Sequence, residues 1–188
     1  MRIILMGPPG AGKGTQAEII SDRLGIPHIS SGAIFRAHMA AGTQLGVQAR
    51  EYIDRGDYVP DDITNGMIRA RLYEADAERG FLLDGYPRTN DQIHRLDEML
   101  AGHDHAIDHV ILLTADVEPM VERLLARAVV EGRSDDTAEV IRNRMAVYEA
   151  KTEPLARVYE GRALLRRISA MGDIPEVTHR ILEALGEA

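Results

Sequence analysis

The sequence has no cysteine and no tryptophan, and it contains only two phenylalanines. The absence of cysteine excludes disulfide bonds, thiolate zinc sites and a cysteine nucleophile. Hydrophobic residues make up 45% of the chain but aromatic residues only 4%, so we expect a core built mainly from aliphatic side chains. The length of 188 residues suits one domain with small insertions.

Long hydrophobic runs are also absent. The apolar run at 3–6 ends at Gly7 and Pro8, short of the roughly 7–15 residues of a secretory segment or the about 20 residues of a membrane-spanning helix. Acidic residues outnumber basic ones by 30 to 22, and the net charge of −8 disfavours broad electrostatic binding to nucleic acid or anionic membranes. We therefore expect a cytoplasmic protein that binds neither.

Lysine is scarce, because all basic residues except Lys13 and Lys151 are arginine. Genomic base composition explains the general bias most simply. A lysine kept at position 13 nevertheless indicates a site that requires a compact ammonium group rather than a planar guanidinium.

Apolar strands and amphipathic helices alternate along the chain. The predicted strands are 2–6, 28–29, 81–84, 108–114 and 163–169, and the predicted helices are 14–24, 34–41, 47–55, 62–74, 91–100, 118–128, 137–150 and 175–185. This alternation predicts a three-layer α/β/α fold around a central five-stranded parallel sheet. Two stretches interrupt it, the strand-free residues 30–60 and the polar loop 129–136, and we interpret them as two small mobile insertions.

The strongest motif is the segment from Gly7 to Thr15, Gly-Pro-Pro-Gly-Ala-Gly-Lys-Gly-Thr. It carries the G-x-x-x-x-G-K frame between a predicted strand and a predicted helix, the context that a P-loop requires. Its glycines let backbone N–H groups approach phosphate oxygens, and Lys13 adds a charge for the β- and γ-phosphates. Gly14 stands where the strict pattern has serine or threonine, so we expect Thr15 to contact a phosphate rather than Mg²⁺. The alternative is an ordinary glycine-rich turn.

The same nine residues resemble the phosphate loop of adenylate kinases, and four further segments agree with that family in order and spacing. These segments are 30–36, 56–60, 80–88 and 132–136 followed by Arg144. The resemblance implies a single P-loop kinase domain, 1–188, with a core of 1–29, 61–127 and 138–188, an AMP-binding insertion at 30–60 and a short lid at 128–137. It also implies a monomer that transfers a phosphoryl group reversibly from ATP to AMP, giving two ADP.

The resemblance further implies roles for individual residues. Those implied for ATP binding are Gly10, Ala11, Gly12, Lys13, Gly14, Thr15, Arg123, Arg127 and Gly172. Those implied for AMP binding are Ser31, Arg36, Asp57, Tyr58, Val59, Gly85, Arg88, Gln92, Arg133 and Arg144. Lys13, Arg88, Arg127, Arg133 and Arg144 are the expected catalytic residues. Asp84 is expected to hold the Mg²⁺ that accompanies ATP, through water, and no structural zinc is expected.

The resemblance also places Ser31, Val59 and Gln92 against the acceptor base. A hydroxyl, a backbone carbonyl and a side-chain amide that both donates and accepts together suit adenine, so AMP is favoured over UMP or CMP. Two alternatives remain open: a uridylate/cytidylate kinase of the same fold, and a nucleotide-dependent switch without phosphoryl transfer. The adjacent acids Asp61 and Asp62 are interpreted as helix caps rather than as a catalytic pair.

Overall fold

The computed structural model describes residues 1–115, 124 and 137–187. It contains a five-stranded sheet in the order β2-β3-β1-β4-β5, in which every pairing is parallel. The strands are β1 (Arg2–Met6), β2 (His28–Ser30), β3 (Phe81–Asp84), β4 (His109–Thr114) and β5 (Leu165–Ser169). The predicted fold class is therefore confirmed, and each predicted strand lies within two residues of its position in the structure.

Helices connect the strands. They are α1 (Lys13–Leu24), α2 (Ser31–Ala40), α3 (Gln44–Ile53), α4 (Asp61–Leu72), a 3-10 turn (Ala75–Ala77), α5 (Asn90–Ala101), α6 (Ala138–Val147), a π-helical turn (Tyr148–Thr152), α7 (Leu155–Gly161) and α8 (Ile174–Leu185). The predicted helix at 118–128 falls largely outside the described residues. Of the helices that are described, none combines the length and apolar character that a membrane crossing requires.

Two helix starts were predicted three residues too late, because their caps were overlooked. The side chain of Ser30 accepts a hydrogen bond from the backbone N–H of Ala33 at 3.4 Å, and α2 therefore begins at Ser31. Thr43 caps α3 in the same way, accepting from Gly46 N–H at 3.1 Å. Hydroxyl side chains at these positions satisfy N–H groups that have no partner within the helix.

The cap prediction for the acids of α4 was wrong. Pro60 occupies the N-cap position of this helix and no side chain caps it. Asp61 and Asp62 are the first two residues inside the helix, where negative charge favours the positive end of the helix dipole. The carboxylate of Asp61 instead accepts hydrogen bonds from Gln92 Nε2 and Thr89 Oγ1.

The core lies on both faces of the sheet. Successive residues of β1 point to opposite sides, so that Ile4 and Met6 join one buried cluster whereas Ile3 and Leu5 join the other. Aliphatic side chains fill most of both clusters, as expected, and Tyr86 and Tyr159 are the largest fully buried side chains. Two packed faces give the three-layer arrangement that alternation predicts.

The carboxyl ends of β1, β2 and β3 meet at one edge of the sheet. In the register of the sheet, Asp84 pairs with both Leu5 and Ser30. Strand β1 also marks the position where the connections change direction, since β2 and β3 lie on one side of it and β4 and β5 on the other. Ligands of open α/β sheets bind at such a switch point, outside the carboxyl ends of the strands.

Candidate active site

The phosphate loop follows β1 directly. A Cβ atom at Gly7 would lie 2.9 Å from the backbone oxygen of Leu113, so no larger residue fits there. Gly10 and Gly12 have φ values of 85° and 80°, in the left-handed region that favours glycine. Apart from the adjacent residues and the backbone of the same helix, no described atom lies within 4 Å of where a Cβ of Gly12 or Gly14 would stand. The loop therefore presents an open, glycine-lined surface at the N-terminus of α1, which suits an anion.

The ammonium group of Lys13 lies against this loop. It donates hydrogen bonds to the carbonyl oxygens of Gly7, at 2.7 Å, and Pro8, at 2.8 Å. The side chain thereby holds a positive charge beside the open glycine surface. This placement agrees with the sequence-based expectation that position 13 requires a compact cation.

Asp84 ends β3 next to the phosphate loop, with its side chain only 13% exposed. Its Oδ2 accepts a hydrogen bond from Ser30 Oγ at 3.4 Å and lies 3.6 Å from His28 Nε2. Burial alone raises the pKa of the Asp84 carboxyl, but the His28 ring and the positive charges of Lys13 and Arg88 outweigh burial and hold the pKa below its usual value. Asp84 is thus a carboxylate at neutral pH.

An ionised carboxylate at this point fits a magnesium ion. Magnesium is usually bound through one or two carboxylates together with phosphate oxygens and water. Within the described part of the chain, no three histidine or acidic side chains come together to hold a metal. Asp84 would therefore act together with nucleotide phosphates and water rather than within a cage made by the protein.

Arg88 lines the same cleft as the phosphate loop. Its Nε donates to the carbonyl oxygen of Gly85 at 2.7 Å, and its guanidinium carbon lies 4.9 Å from the centre of the Tyr58 ring. The ring face and the carbonyl fix the plane of the guanidinium group. Arg36 on α2 and Arg144 on α6 line the same cleft. The other three arginines expected here, Arg123, Arg127 and Arg133, lie outside the described residues, as does most of the predicted lid at 128–137.

The cleft has a volume of about 780 Å³ and brings most of the predicted site together. Its walls include Gly10, Gly12, Lys13, Gly14, Thr15, Ser31, Arg36, Asp57, Tyr58, Val59, Asp84, Gly85, Arg88, Gln92 and Arg144. Ala11 is buried, with 2% exposure, and does not line the cleft. Gly172 lies between β5 and α8, also away from the cleft lining, and its contact with ATP remains a prediction.

The atoms expected to contact the acceptor base have partners within the protein. Ser31 Oγ donates to the carbonyl oxygen of Gly85 at 2.7 Å, and the carbonyl oxygen of Val59 accepts from Thr64 Oγ1 at 3.3 Å. Gln92 Oε1 accepts from the backbone N–H of Arg88 at 2.7 Å. Hydroxyl, carbonyl and amide groups can each make further hydrogen bonds, so these internal partners do not prevent contact with a base. The roles of Ser31, Val59 and Gln92 in binding the base remain predictions.

The sequence reasoning missed several residues that support this cleft. Asn143 on α6 donates to Arg55 O at 2.7 Å and to Asp57 Oδ1 at 2.9 Å. The hydrogen bonds that Asp57 accepts from Asn143 and from Arg55 lower its pKa. Asn143 and Asp57 are 86 residues apart, and no local pattern announces such a contact. His28 lies beside Asp84, but the two residues are distant in the sequence and the contact has no local signal either.

Thr152, in the π-helical turn, was missed as well. Its Oγ1 donates to the carbonyl oxygen of Arg88 at 3.1 Å and lies 2.7 Å from the hydroxyl of Tyr58. Single π-helical turns are frequent at functional sites. This one connects the end of α6 to both the ring and the backbone that position Arg88.

The close packing around Gly85 yields a testable expectation. A Cβ at this position would lie 2.7 Å from Ser31 Oγ and 2.8 Å from Arg88 Nη2, and the φ of 76° disfavours any other residue. We expect Gly85→Ala to displace the Arg88 fork and to raise the KM of the acceptor nucleotide about tenfold, because small misplacements of binding groups are costly. Steady-state kinetics with the concentration of the acceptor nucleotide varied would measure this change in KM.

Gly102→Ala is the control, because the nearest atom to a Cβ at that position is 3.7 Å away. An unchanged acceptor KM in Gly85→Ala would contradict the packing argument.

Together, a glycine loop at the carboxyl end of β1, a lysine on that loop and arginines across one cleft define the class. The protein is a P-loop nucleotide-binding protein with room for a second phosphate-bearing ligand.

Comparison with known proteins gives the family. The family model for adenylate kinase matches residues 5–164. The adenylate kinase of Thermobifida fusca is 54% identical over 185 residues, which span 98% of both chains. That of Nocardioides sp. is 53% identical over 185 residues, or 98% of this chain and 97% of the relative. That of Pseudarthrobacter chlorophenolicus is 51% identical over 187 residues, which span 100% of this chain and 97% of the relative. The chain belongs to the adenylate kinase family, which confirms the resemblance found in the sequence.

Proposed function

We propose that this protein catalyses the reversible, Mg²⁺-dependent transfer of a phosphoryl group from ATP to AMP, giving two ADP. The observation that carries the proposal is one cleft whose lining includes the phosphate loop, Lys13, Arg36, Arg88 and Arg144. The curated relatives with about the same length are named adenylate kinase. The alternative of a uridylate/cytidylate kinase has no observation in its favour.

The mechanism follows from the placement of charge. Transfer between two nucleotides requires little covalent chemistry from the protein, so that catalysis consists of alignment and charge stabilisation. The phosphate loop and Lys13 would hold the β- and γ-phosphates of ATP, whereas Arg36 and Arg88 would hold the AMP phosphate. Arg144 would then stabilise the charge on the group in transit, with Arg127 and Arg133, and Arg123 would stack on the ATP base.

Asp84 would hold the Mg²⁺ that arrives with ATP, through a water molecule. The bound ion supplies positive charge that neutralises phosphate oxygens during transfer. The protein's own contribution at this point is to keep Asp84 ionised and oriented. His28 and Ser30 do so by contacting Oδ2 of that carboxylate.

Water must be excluded for the transfer to be productive, since it competes with AMP as acceptor. We propose that residues 30–60 and the short lid 128–137 close over the core formed by 1–29, 61–127 and 138–188. Helix α2 carries Arg36, and the chain after α3 contributes Asp57, Tyr58 and Val59 to the cleft wall, so closing this insertion would bring AMP contacts together. We further propose a cytoplasmic monomer.

A coupled assay tests the proposal. With ATP and Mg²⁺ present, we expect ADP to form rapidly with AMP and far more slowly with UMP or CMP, because an adenine edge matches an amide that both donates and accepts. ADP formation is followed by a linked oxidation of NADH, and a reaction without acceptor is the control for ATP hydrolysis. A preference for UMP or CMP would replace the proposal with the alternative kinase. No transfer to any monophosphate would favour a nucleotide-dependent switch.

A further inference from the structure

We propose that Asp61, which does not line the cleft, determines the choice of acceptor base by fixing the orientation of the Gln92 side-chain amide. This inference rests on the proposed function, because it takes the acceptor base to lie against Gln92. It makes Asp61 a positioning residue that selects a 6-aminopurine over a 6-oxopurine.

The contacts of Asp61 lock its carboxylate in place. Its Oδ1 accepts from Gln92 Nε2 at 2.6 Å, and its Oδ2 accepts from Thr89 Oγ1 at 2.7 Å. Both carboxylate oxygens are therefore engaged, one by each partner. Asp61 is half-buried and does not line the cleft, so its influence on a ligand must pass through the residue that it holds.

The amide of Gln92 is held at both ends. Its Nε2 donates to a carboxylate oxygen of Asp61, and its Oε1 accepts from the backbone N–H of Arg88, a group that only donates. Exchanging the two ends of the amide would set oxygen against carboxylate and N–H against N–H. Orientations of glutamine amides are often ambiguous, but the chemistry of these two neighbours leaves one orientation.

One donor and one acceptor remain on that amide. Nε2 has two N–H groups and Oε1 has two lone pairs, of which one each is used within the protein. Gln92 is 1% exposed and contributes to the cleft wall, so we take a base bound in the cleft as the partner of the remaining N–H and lone pair. Their positions relative to each other are set by Asp61 and Arg88.

The fixed amide distinguishes two purines of nearly equal size. Adenine presents an acceptor at N1 and a donor at its 6-amino group, so that Nε2 can donate to N1 while Oε1 accepts from the amino group. Hypoxanthine presents N1–H and a carbonyl oxygen, the reverse pattern, which requires the amide to turn over. With Asp61 present, a reversed Gln92 amide would place its oxygen against a carboxylate oxygen, and two acceptors repel each other. The 6-oxopurine is therefore rejected.

The experiment compares AMP with IMP, which differ at these two edge positions. For the wild-type protein and Asp61→Ala, kcat/KM is measured with each acceptor in the presence of ATP and Mg²⁺. We expect the AMP-to-IMP ratio of kcat/KM to fall at least about tenfold in Asp61→Ala, because a free amide can serve either base. A role in stability alone would lower activity with both acceptors equally and leave the ratio unchanged, which would overturn the proposal.

The neighbouring acid provides a matched control. Asp62 lies in the same first turn of α4, is exposed and is outside the cleft lining, so Asp62→Ala removes the same charge without touching Gln92. We expect its AMP-to-IMP ratio to equal that of the wild type, and an equal fall in both variants would overturn the proposal. If Asp61→Ala does not fold, Asp61→Asn replaces it, because an asparagine amide can offer Gln92 either a donor or an acceptor.

A binding measurement separates this inference from the proposed function. Dissociation constants of AMP and IMP, measured by calorimetry without ATP, report base selection even if no phosphoryl transfer occurs. A wild-type protein that prefers AMP and loses that preference in Asp61→Ala supports the role of Asp61 whatever the outcome of the assay. A preference for AMP that survives in Asp61→Ala overturns that role while leaving the kinase activity intact.

Discussion

Replacing Arg88 by alanine is expected to lower the turnover number for ADP formation at least about a hundredfold while the protein stays folded, since arginines that stabilise a phosphoryl group in transfer commonly contribute still more. The guanidinium group of Arg88 and its backbone are held by several contacts within the described cleft. Gly85 accepts from its Nε, Tyr58 supports its plane, and Thr152 and Gln92 hold its backbone. The fork is thus fixed before a phosphate arrives, so little binding energy is lost in ordering it.

Steady-state kinetics of Arg88→Ala measures the loss of turnover, and thermal unfolding checks that the variant stays folded. Arg95→Ala is the matched control, because Arg95 lies on α5 with an exposed side chain that pairs with Glu98 at 2.8 Å. Arg88→Lys keeps the charge but not the two-pronged geometry, and its activity should fall between those of the wild type and the alanine variant. Near-normal turnover in Arg88→Ala would refute the role assigned to this residue.

Loss of the Lys13 ammonium should have an effect of similar size. We expect Lys13→Met to lower kcat/KM for ATP by two or more orders of magnitude, on the order of 10²–10³, because a preorganised charge in a sheltered cleft stabilises the transition state strongly. The ammonium also bridges the carbonyl oxygens of Gly7 and Pro8, so a modest decrease in thermal stability should accompany the loss of activity.

Two further variants sharpen the result for Lys13. Lys13→Arg keeps the charge, but its planar guanidinium cannot reproduce a compact ammonium between two carbonyl oxygens, and we expect little recovery of activity. Arg23→Met removes one charge from the exposed last turn of the same helix, α1, and should leave ATP kinetics unaltered. Recovery of full activity in Lys13→Arg would show that charge alone matters at position 13.

The phosphate loop was predictable because the residues that define it are adjacent in the sequence. The segment from Gly7 to Thr15 needs only a preceding strand and a following helix, and hydrophobic periodicity predicts both. Gly10 and Gly12 have the positive φ values that explain why glycine is required there. The order of apolar strands likewise predicted the parallel sheet.

The helix caps show how a local signal can still be missed or misassigned. Ser30 and Thr43 each cap a helix that begins three residues earlier than its hydrophobic pattern indicates. Asp61 was assigned to a cap from its position before an amphipathic segment, yet its carboxylate binds Gln92 and Thr89. Side-chain oxygens serve caps and distant partners equally well, and a sequence does not distinguish the two uses.

By itself, the amino-acid sequence determined the α/β class, the phosphate loop, the aliphatic character of the core and the family, because each depends on residues that are close together or on a pattern repeated along the chain. Only the tertiary structure decided that Asp61 orients Gln92, that Asn143 holds Asp57, and that Thr152 supports Arg88. These contacts join residues 31, 86 and 64 positions apart. Their geometry depends on how helices pack at the carboxyl edge of the sheet, and hydrogen bonds change steeply with distances and angles that no local pattern specifies.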